Sequence, residues 1–327
     1  MGEVIRWGIL GPGGIAHQFA RGLSVIPDAE LIAVGSRSSE RAEKFADEFD
    51  IPHRHGSYAD LASDPDVDAI YVSTPHPFHK EYSILCMEAG KPVLCEKPLA
   101  INAQQVREMI ECARKSKIFL MEAMWTRFLP VMVKIRELLA EGVIGEARML
   151  TADFGFRAGW NTQSRILTPE LAGGGLLDVG VYTIAMAYMI FGGAPSRITS
   201  VAHIGESGVD EQASMLLGYD VGQIAMLSCA IRTNTPQEAR IMGTDGSIHI
   251  PGFWHARSAT LHVSGKEPQQ IELPFEGNGY NYEAVEVMNC LRAGKLESDI
   301  VPLDESLSII ETMDELRAQW GLKYPME

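Results

Sequence analysis

Residues 4–16 read VIRWGILGPGGIA, and this stretch decides the fold. The apolar run at 4–10 has the length and composition of a buried strand, and the glycines after it open a helical pattern. Gly11, Gly13 and Ala16 have the G-x-G-x-x-A spacing found where a strand turns into a dinucleotide-binding helix. Gly11 permits the tight turn, Gly13 lets the backbone approach a pyrophosphate, and Ala16 keeps helix and strand close.

The residues that follow extend this pattern into a domain. Gly14 and Ile15 form the helix amino terminus, whose partial positive charge favours a bound phosphate. Short apolar runs then alternate with helical patterns, as a parallel sheet with crossover helices requires. After about residue 125, period-two segments with turn signals such as Asp245-Gly246 favour an antiparallel sheet.

We therefore predict the α/β class. A doubly wound parallel sheet forms a nucleotide-binding domain over residues 1–122, and an α+β domain with an open, mainly antiparallel sheet follows over 123–327. The second domain is expected to bind substrate and to form the oligomer. The last helix, at about 304–320, could pack back on the first domain.

The composition narrows the class of partner. The chain of 327 residues is 46% hydrophobic and 22% charged, which is typical of a soluble globular protein. A net charge of -15 argues against nucleic acid or an anionic membrane as partner. The five cysteines form no C-x-x-C pair, and no apolar run approaches the length of a membrane span. A cytoplasmic location is expected.

The end of the second predicted strand indicates which dinucleotide binds. NAD-specific domains usually place a carboxylate there to bind the ribose 2'-hydroxyl. Here the residues are Ser36, Arg37 and Ser38, with Arg41 one helical turn further on. Two guanidinium groups could hold a 2'-phosphate, so we predict NADP(H), with NAD(H) as the alternative if both arginines are only surface charges.

Two further strand ends should line the same cofactor crevice. Glu96-Lys97-Pro98 ends the apolar run from Val93, so its charges are expected to point toward the nicotinamide. Proline stops the strand and biases Lys97 toward an extended backbone. Thr74 and Pro75 follow another strand, with His79 at the next helix start. We predict no metal there, because carboxylate or cysteine ligands at suitable spacing are missing.

A second polar cluster lies in the stretch GGGLLDVGVY at residues 173–182. Asp178 and Tyr182 are four residues apart at a helix start, so both side chains fall on one face. Asp178 also favours a helix amino terminus for purely electrostatic reasons. The pair is therefore a candidate site that the spacing alone does not establish.

The three motifs, in this order and spacing, resemble the Gfo/Idh/MocA oxidoreductase family over nearly the whole chain. The resemblance implies a Rossmann domain, an open-sheet domain that often forms a dimer interface, and NAD(P)-dependent hydride transfer at a carbon bearing oxygen. It implies that Lys97 is catalytic and that Asp178 binds or orients the substrate. Tyr182 stands where the family usually has histidine, so an inositol-type NAD-dependent dehydrogenase is the alternative.

The tyrosine form, together with residues 121–128, is similar to the branch that contains dimeric dihydrodiol dehydrogenase and NADP-dependent D-xylose dehydrogenase. That comparison implies an aromatic substrate wall and a loop over the cofactor. Arg127 would either bind a substrate hydroxyl or cap local carbonyls, and each aromatic could instead be core. The wall would consist of Trp125, Phe154 and Tyr280, and the cofactor would be covered by Trp160 and Arg165.

The residue types suggest how a proton could move. Unperturbed tyrosine and lysine titrate near pH 10, which is high for a base at neutral pH. A nearby Lys97 would favour the phenolate of Tyr182, so we predict Tyr182 as acid/base and Lys97 as its electrostatic partner, although the roles could be exchanged. A nonenzymatic NADPH-sensing regulator is the alternative from another class.

Overall fold

The computed structural model describes residues 2–327, which divide into two compact units. The first unit takes in residues 2–100, 104–125 and 276–306, and the second takes in residues 101–103, 126–275 and 307–327. The chain therefore crosses between units more than once. The predicted domain boundary between residues 122 and 123 does not separate the two units, because residues 276–306 return to the first unit.

The first unit is built on a parallel sheet. Its strands follow the order β3-β2-β1-β4-β5-β6, so the order reverses between β1 and β4, where α/β sheets bind their ligands. This confirms the predicted doubly wound sheet. The strands are β1 (Ile5–Leu10), β2 (Ala29–Gly35), β3 (His53–His55), β4 (Ala69–Val72), β5 (Val93–Glu96) and β6 (Leu120–Ala123). The helices are α1 (Gly14–Leu23), α2 (Ser39–Phe49), α3 (Tyr58–Ala62), α4 (His79–Glu88), α5 (Ala103–Ser116), which starts at the unit boundary, and α8 (Asn281–Arg292).

Aromatic packing joins α1 to this sheet. Phe19 lies with its ring centroid 5.3 Å from that of Trp7 and stacks on Tyr71 at 3.8 Å. All three side chains are fully buried. The returning helix α8 begins against the other end of α1, where a Cβ on Gly22 would lie 3.0 Å from the Asn281 nitrogen. The absence of a side chain at Gly22 therefore allows residues 276–306 to complete the first unit.

The second unit contains an open sheet in the order β14-β13-β12-β11-β7-β10-β9-β8. Neighbouring strands are antiparallel except for the β7 and β10 pair, which confirms a mainly antiparallel sheet. Its strands are β7 (Ala147–Gly155), β8 (Arg197–Ile204), β9 (Asp210–Gly218), β10 (Ile224–Ala230), β11 (Ala239–Gly243), β12 (Gly246–Ile250), β13 (Ser258–Val263) and β14 (Gln269–Glu272). Its helices are α6 (Pro130–Ala140), α7 (Val181–Phe191) and α9 (Leu303–Trp320), the last joining this unit from residue 307.

One face of this sheet is covered by α7. The expectation that no apolar run approaches the length of a membrane span was wrong for Pro169–Phe191, which is long and apolar enough to cross a membrane, with a mean hydropathy of 1.5. However, 78% of its apolar window is buried in the protein. The helix packs on β7 and β10, and the Tyr188 hydroxyl donates to the Ser308 carbonyl at 2.8 Å. Its composition is therefore that of a core helix.

The opposite face of the sheet carries exposed apolar side chains. Val201 on β8 is 70% exposed and Leu216 on β9 is 50% exposed. Ile224 on β10 and Met149 on β7 are also exposed. Serine and threonine side chains such as Ser214 alternate with them, so this face has an apolar and weakly polar surface.

Candidate active site

The turn after β1 leaves open space beside its backbone. Gly11 has φ +96°, a conformation that favours glycine. A Cβ at Gly13 or Gly14 would meet nothing within 4 Å, and no side chain caps the start of α1. The unsatisfied N–H groups of this helix terminus can therefore face a phosphate. Ala16 is fully buried and Ile15 is half-buried, so the helix lies close to the sheet.

The loop after β2 presents two arginines to solvent. Ser36 is buried and its Oγ accepts from the Ser38 nitrogen at 3.2 Å, while Ser38 Oγ accepts from the Arg41 nitrogen at 3.4 Å. The Arg37 guanidinium lies 5.6 Å from the ring centroid of Phe78. Both guanidinium groups thus flank a serine-lined turn at the carboxyl end of β2.

Hydrogen bonds fix the loops that follow β1, β4 and β5. Ser73 Oγ donates to the Gly11 carbonyl at 2.8 Å. The His79 ring is fully buried, with Nε2 2.8 Å from the Thr74 carbonyl and Nδ1 2.8 Å from the Pro98 carbonyl. His79 therefore joins the loop that carries Thr74 and Pro75 to the loop that carries Lys97.

Buried carboxylates support the Lys97 loop. Glu96 is 5% exposed; its Oε1 accepts from the Tyr71 hydroxyl and its Oε2 accepts from the Lys97 nitrogen at 3.2 Å. The Lys97-Pro98 peptide bond is cis. On the far side of the loop, Glu122 Oε1 accepts from the Leu99 nitrogen at 2.9 Å. Glu122 was missing from the predicted site, although an acidic residue at the end of an apolar strand was a signal for it.

An aromatic pair lies in the first unit. Trp125 and Tyr280 stack with ring centroids 4.4 Å apart and planes 16° from parallel. Burial raises the pKa of the Tyr280 hydroxyl, and the charges of Glu96 and Glu283 raise it further. Two of the three predicted wall residues are therefore in direct contact, and Tyr280 carries a neutral hydroxyl.

In the second unit, a buried carboxylate supports the triple-glycine turn. Asp210 is fully buried and its Oδ2 accepts from the Leu176 nitrogen at 2.6 Å. Gly174, with φ +117°, has no room for a Cβ because Asp210 Oδ1 lies against it. The Tyr324 hydroxyl donates to the Gly173 carbonyl at 3.0 Å. The turn that leads into the candidate Asp178 and Tyr182 segment is thus fixed from two sides.

Asp178 lies in a π-helical turn, Leu176–Gly180, that runs directly into α7. Such turns are rare and are frequent at functional sites. The Arg165 guanidinium donates to Asp178 Oδ1 at 2.6 Å. Tyr182 is 7% exposed, and its ring centroid lies 5.5 Å from that of Phe154. Arg165, predicted to cover the cofactor, therefore also holds the candidate substrate-binding carboxylate.

A second aromatic pair extends from Tyr182. Phe154 stacks on Trp254 with ring centroids 5.0 Å apart and planes 16° from parallel. Trp254 Nε1 donates to Gln237 Oε1 at 2.9 Å, which sets the orientation of the indole. Sequence reasoning missed Trp254, although the run Phe253-Trp254-His255 after an apolar strand was available as a signal.

Two other predicted residues have polar or cation contacts. Arg127 is 4% exposed and its Nη2 donates to the Ala185 carbonyl of α7 at 2.8 Å, which matches the carbonyl-capping alternative. Trp160 is 49% exposed, with the Arg232 guanidinium 4.6 Å from its ring centroid. Arg127 thus braces the helix of Tyr182, whereas Trp160 lies on a solvent-facing loop.

A histidine and carboxylate cluster lies at the edge strand β3. His53 Nδ1 and His55 Nε2 lie 2.7 and 2.9 Å from the same Asp64 oxygen. These are hydrogen-bond distances, and the three groups could also offer ligand atoms to a metal ion. Hydrogen bonding between β3 and the end of α3 is sufficient to explain the arrangement.

The first unit therefore has an open phosphate-binding turn and a lysine at a strand end, and the second has a carboxylate and a tyrosine on one helix. These features define a nicotinamide-dependent oxidoreductase. Comparison with known families agrees: residues 5–124 match the family described as "Oxidoreductase family, NAD-binding Rossmann fold", and residues 132–249 match "GFO/IDH/MocA C-terminal domain". The chain belongs to the Gfo/Idh/MocA oxidoreductase family.

Relatives match over the full chain. The trans-1,2-dihydrobenzene-1,2-diol dehydrogenases of Mus musculus and Homo sapiens are 42% and 38% identical to it, each over 99% of both chains. A solved structure of a 3-ketoreductase from Actinomadura kijaniata with NADP and TDP-benzene has a TM-score of 0.85 at 25% identity, covering 97% of this chain and 98% of that one. Aldose-aldose oxidoreductase from Caulobacter crescentus shares the fold, with a TM-score of 0.90 at 24% identity and 98% of both chains covered.

Asp210 gives the second unit a testable pH dependence. Burial raises the pKa of Asp210 to about 7, against the lowering effects of backbone bonds and Arg317. The folded state therefore holds a proton that the unfolded chain, with a pKa of 3.8, releases. This contribution to stability is fully present below the unfolded pKa and is lost as pH rises through about 7.

We expect Asp210→Asn to remove that dependence. Between the unfolded pKa of 3.8 and the folded pKa of about 7, the wild type should lose about 1.4 kcal/mol of unfolding free energy per pH unit relative to the variant. Urea unfolding at several pH values measures the difference. Asp220→Asn, at an exposed turn, is the control and should follow the wild type. Parallel curves for Asp210→Asn and wild type would contradict the assignment.

Proposed function

We propose that this protein is an NADP-dependent oxidoreductase that transfers a hydride between nicotinamide C4 and a secondary alcohol or carbonyl carbon. The substrate is a sugar, a dihydrodiol or a related small molecule. The observation that carries the proposal is Lys97, held by buried groups at the carboxyl end of β5 in a dinucleotide-binding sheet. The names of the relatives, which are dehydrogenases of a dihydrodiol, support the substrate class.

The end of β2 supports NADP over NAD. The turn after β2 starts with Ser36 in place of a carboxylate, and Arg37 and Arg41 expose their guanidinium groups beside it. Arginine binds phosphate through charge-assisted, often bidentate hydrogen bonds. The 3-ketoreductase of similar fold was solved with NADP. We assign the 2'-phosphate to these two arginines, and the pyrophosphate to the turn from Gly11 to Ala16.

In the proposed mechanism, the bound cofactor supplies or accepts the hydride. In the oxidation direction, Tyr182 takes the hydroxyl proton of the substrate, and in reduction it returns that proton. Lys97 binds the reacting oxygen and favours the phenolate of Tyr182 by its charge. Asp178 orients a second substrate hydroxyl, with Arg165 holding its other side. The reaction balances equally well if the two roles are exchanged, with Lys97 as the acid/base and Tyr182 as its partner.

The stacked aromatic pairs support a cyclic substrate. Trp125 stacks on Tyr280 in one unit, and Phe154 stacks on Trp254 in the other. Flat apolar walls bind one face of a sugar or dihydrodiol ring, while polar groups recognise its hydroxyls. We assign the four rings to substrate binding.

We also propose a homodimer that joins two copies through the open face of the second sheet. Exposed Val201 and Leu216 would be costly to leave in water as a patch, and a second copy presents the same surface. Such an interface has two-fold symmetry, so the same patch of each copy contacts the other copy.

We expect the wild-type enzyme to prefer NADPH or NADP over NADH or NAD. A panel of aldoses, polyols, dihydrodiols and dicarbonyls tests this, with turnover read from the absorbance of the reduced nicotinamide. Arg37→Ala and Arg41→Ala should each raise the Michaelis constant for NADPH by roughly ten-fold or more, since a bond to a charged group contributes about 1.5–3 kcal/mol. The constant for NADH should change little. Arg54→Ala, an exposed arginine on β3, is the control. A wild-type preference for NADH would contradict the cofactor assignment.

Lys97→Met should lower turnover by roughly 10²–10⁴-fold while NADPH binding, measured by fluorescence, stays within a few-fold of wild type. The reason is that methionine fills similar space but neither binds the reacting oxygen nor stabilises a phenolate. Lys115→Met, an exposed lysine on α5, should leave both quantities unchanged. Undiminished turnover in Lys97→Met would refute the catalytic role.

Leu216→Lys should shift the protein from dimer to monomer in light scattering after gel filtration, because like charges would meet across the two-fold interface. Val221→Lys places the same charge at an exposed residue in the turn after β9 and should remain dimeric. A monomeric wild type, or a dimer that tolerates Leu216→Lys, would exclude this face as the interface.

A further inference from the structure

Tyr324 is a buried tyrosine in the segment that follows α9. It is 2% exposed, and the Arg317 guanidinium lies 4.9 Å from its ring centroid. The Tyr324 nitrogen donates to Glu327 Oε2 at 3.0 Å, and the two Glu327 side-chain oxygens accept from Arg317 at 2.7 and 2.9 Å. Backbone and ring are therefore both held, so the direction of the Tyr324 hydroxyl is fixed.

This hydroxyl binds the first glycine of the triple-glycine turn. It donates to the Gly173 carbonyl at 3.0 Å. The Gly173 nitrogen donates to the Thr168 carbonyl at 3.1 Å, and a Cβ on Gly173 would lie 2.6 Å from the Ile166 carbonyl oxygen. The turn thus packs directly on the backbone of residues 165–168, and the Tyr324 hydroxyl holds the carbonyl group at this contact.

Both segments that meet at Gly173 carry a member of the candidate substrate site. Arg165 begins the short helix Arg165–Leu167, and Asp178 lies in the π-helical turn Leu176–Gly180. The Arg165 guanidinium donates to Asp178 Oδ1 at 2.6 Å. The geometry of this ion pair therefore depends on how closely the two segments pack at Gly173, since a side chain is only as well placed as the backbone that carries it.

We propose that Tyr324 is a positioning residue for Asp178. Its hydroxyl keeps the triple-glycine turn against residues 165–168, so that Asp178 meets Arg165 in one geometry and presents its carboxylate to the substrate. The inference rests on the proposed role of Asp178. Phenylalanine at position 324 would keep the ring but remove the donor to the Gly173 carbonyl, and a buried carbonyl that loses its donor favours movement of its segment.

Hydrogen exchange tests the positioning without reference to activity. Tyr324→Phe should accelerate amide exchange within residues 173–180, measured by mass spectrometry, by roughly three- to ten-fold, the size expected for one hydrogen bond. Unchanged exchange in this segment would overturn the proposal, whether or not the enzyme is active.

Tyr219→Phe is the matched control. Tyr219 is also a buried tyrosine of the second unit, at 6% exposure, and its hydroxyl has no hydrogen-bond partner among residues 2–327. Removing that hydroxyl should leave exchange within residues 173–180 at the wild-type rate. Acceleration by Tyr219→Phe equal to that by Tyr324→Phe would show a general loosening of the unit and would overturn the proposal.

Steady-state kinetics test the link to the substrate, with the panel substrate that wild type turns over fastest as the probe. Tyr324→Phe should raise its KM by roughly three- to ten-fold and keep kcat within roughly two-fold, because a misplaced Asp178 binds the substrate hydroxyl less well. NADPH binding should stay within two-fold of wild type, since the turn after β1 belongs to the first unit. A wild-type KM in Tyr324→Phe would overturn the role.

A double-mutant cycle tests whether Tyr324 acts through Asp178. In an Asp178→Asn background, Tyr324→Phe should change kcat/KM by less than two-fold, because the group that it positions is already altered. Effects that multiply would overturn the proposal. If Asp178→Asn alone left KM unchanged, the substrate role in the proposed function would fail, while the exchange rates would still report on the Tyr324 contact.

Discussion

Hydrogen bonds from backbone nitrogens to buried carboxyl groups fix the segments that carry the candidate reactive side chains. Glu96 accepts from the Lys97 nitrogen and Glu122 accepts from the Leu99 nitrogen, so the loop after β5 is held at both ends. In the second unit, Asp210 accepts from the Leu176 nitrogen at the start of the turn that contains Asp178. A side chain on a loop acts with defined geometry only when its backbone is fixed, and these bonds supply that constraint.

Such supports have an electrostatic cost. A buried carboxyl group stays ionised only if its bonds exceed the desolvation penalty, and burial raises the pKa of Asp210 to about 7. Below that pH the folded protein keeps Asp210 protonated and so carries less buried charge. It therefore gains fixed loops at the expense of stability that declines toward alkaline pH, which is the kind of compromise expected beside a functional site.

Local patterns were sufficient to predict most of the fold. The strand, glycine turn and helix at residues 4–16 indicate a doubly wound sheet, and α1 begins at Gly14 as predicted. Strand β3 was missed because its sequence, His-Arg-His, carries no apolar signal and depends on pairing with β2. The return of residues 276–306 to the first unit was missed for a similar reason. It depends on a close approach at Gly22, a contact between residues distant in sequence.

In the candidate site, too, local sequence patterns were predictable and contacts between distant segments were not. Lys97 and Asp178 could be named as candidates because their charged groups and motif positions are visible in the sequence. Trp254 was missed because an aromatic run after a strand looks the same whether it lines a pocket or fills a core. Arg127 shows the converse, since its bond to the Ala185 carbonyl could be distinguished from a substrate contact only in three dimensions. Sequence thus nominates candidate reacting groups more readily than the groups that hold their segments, because support depends on which distant segments fold together.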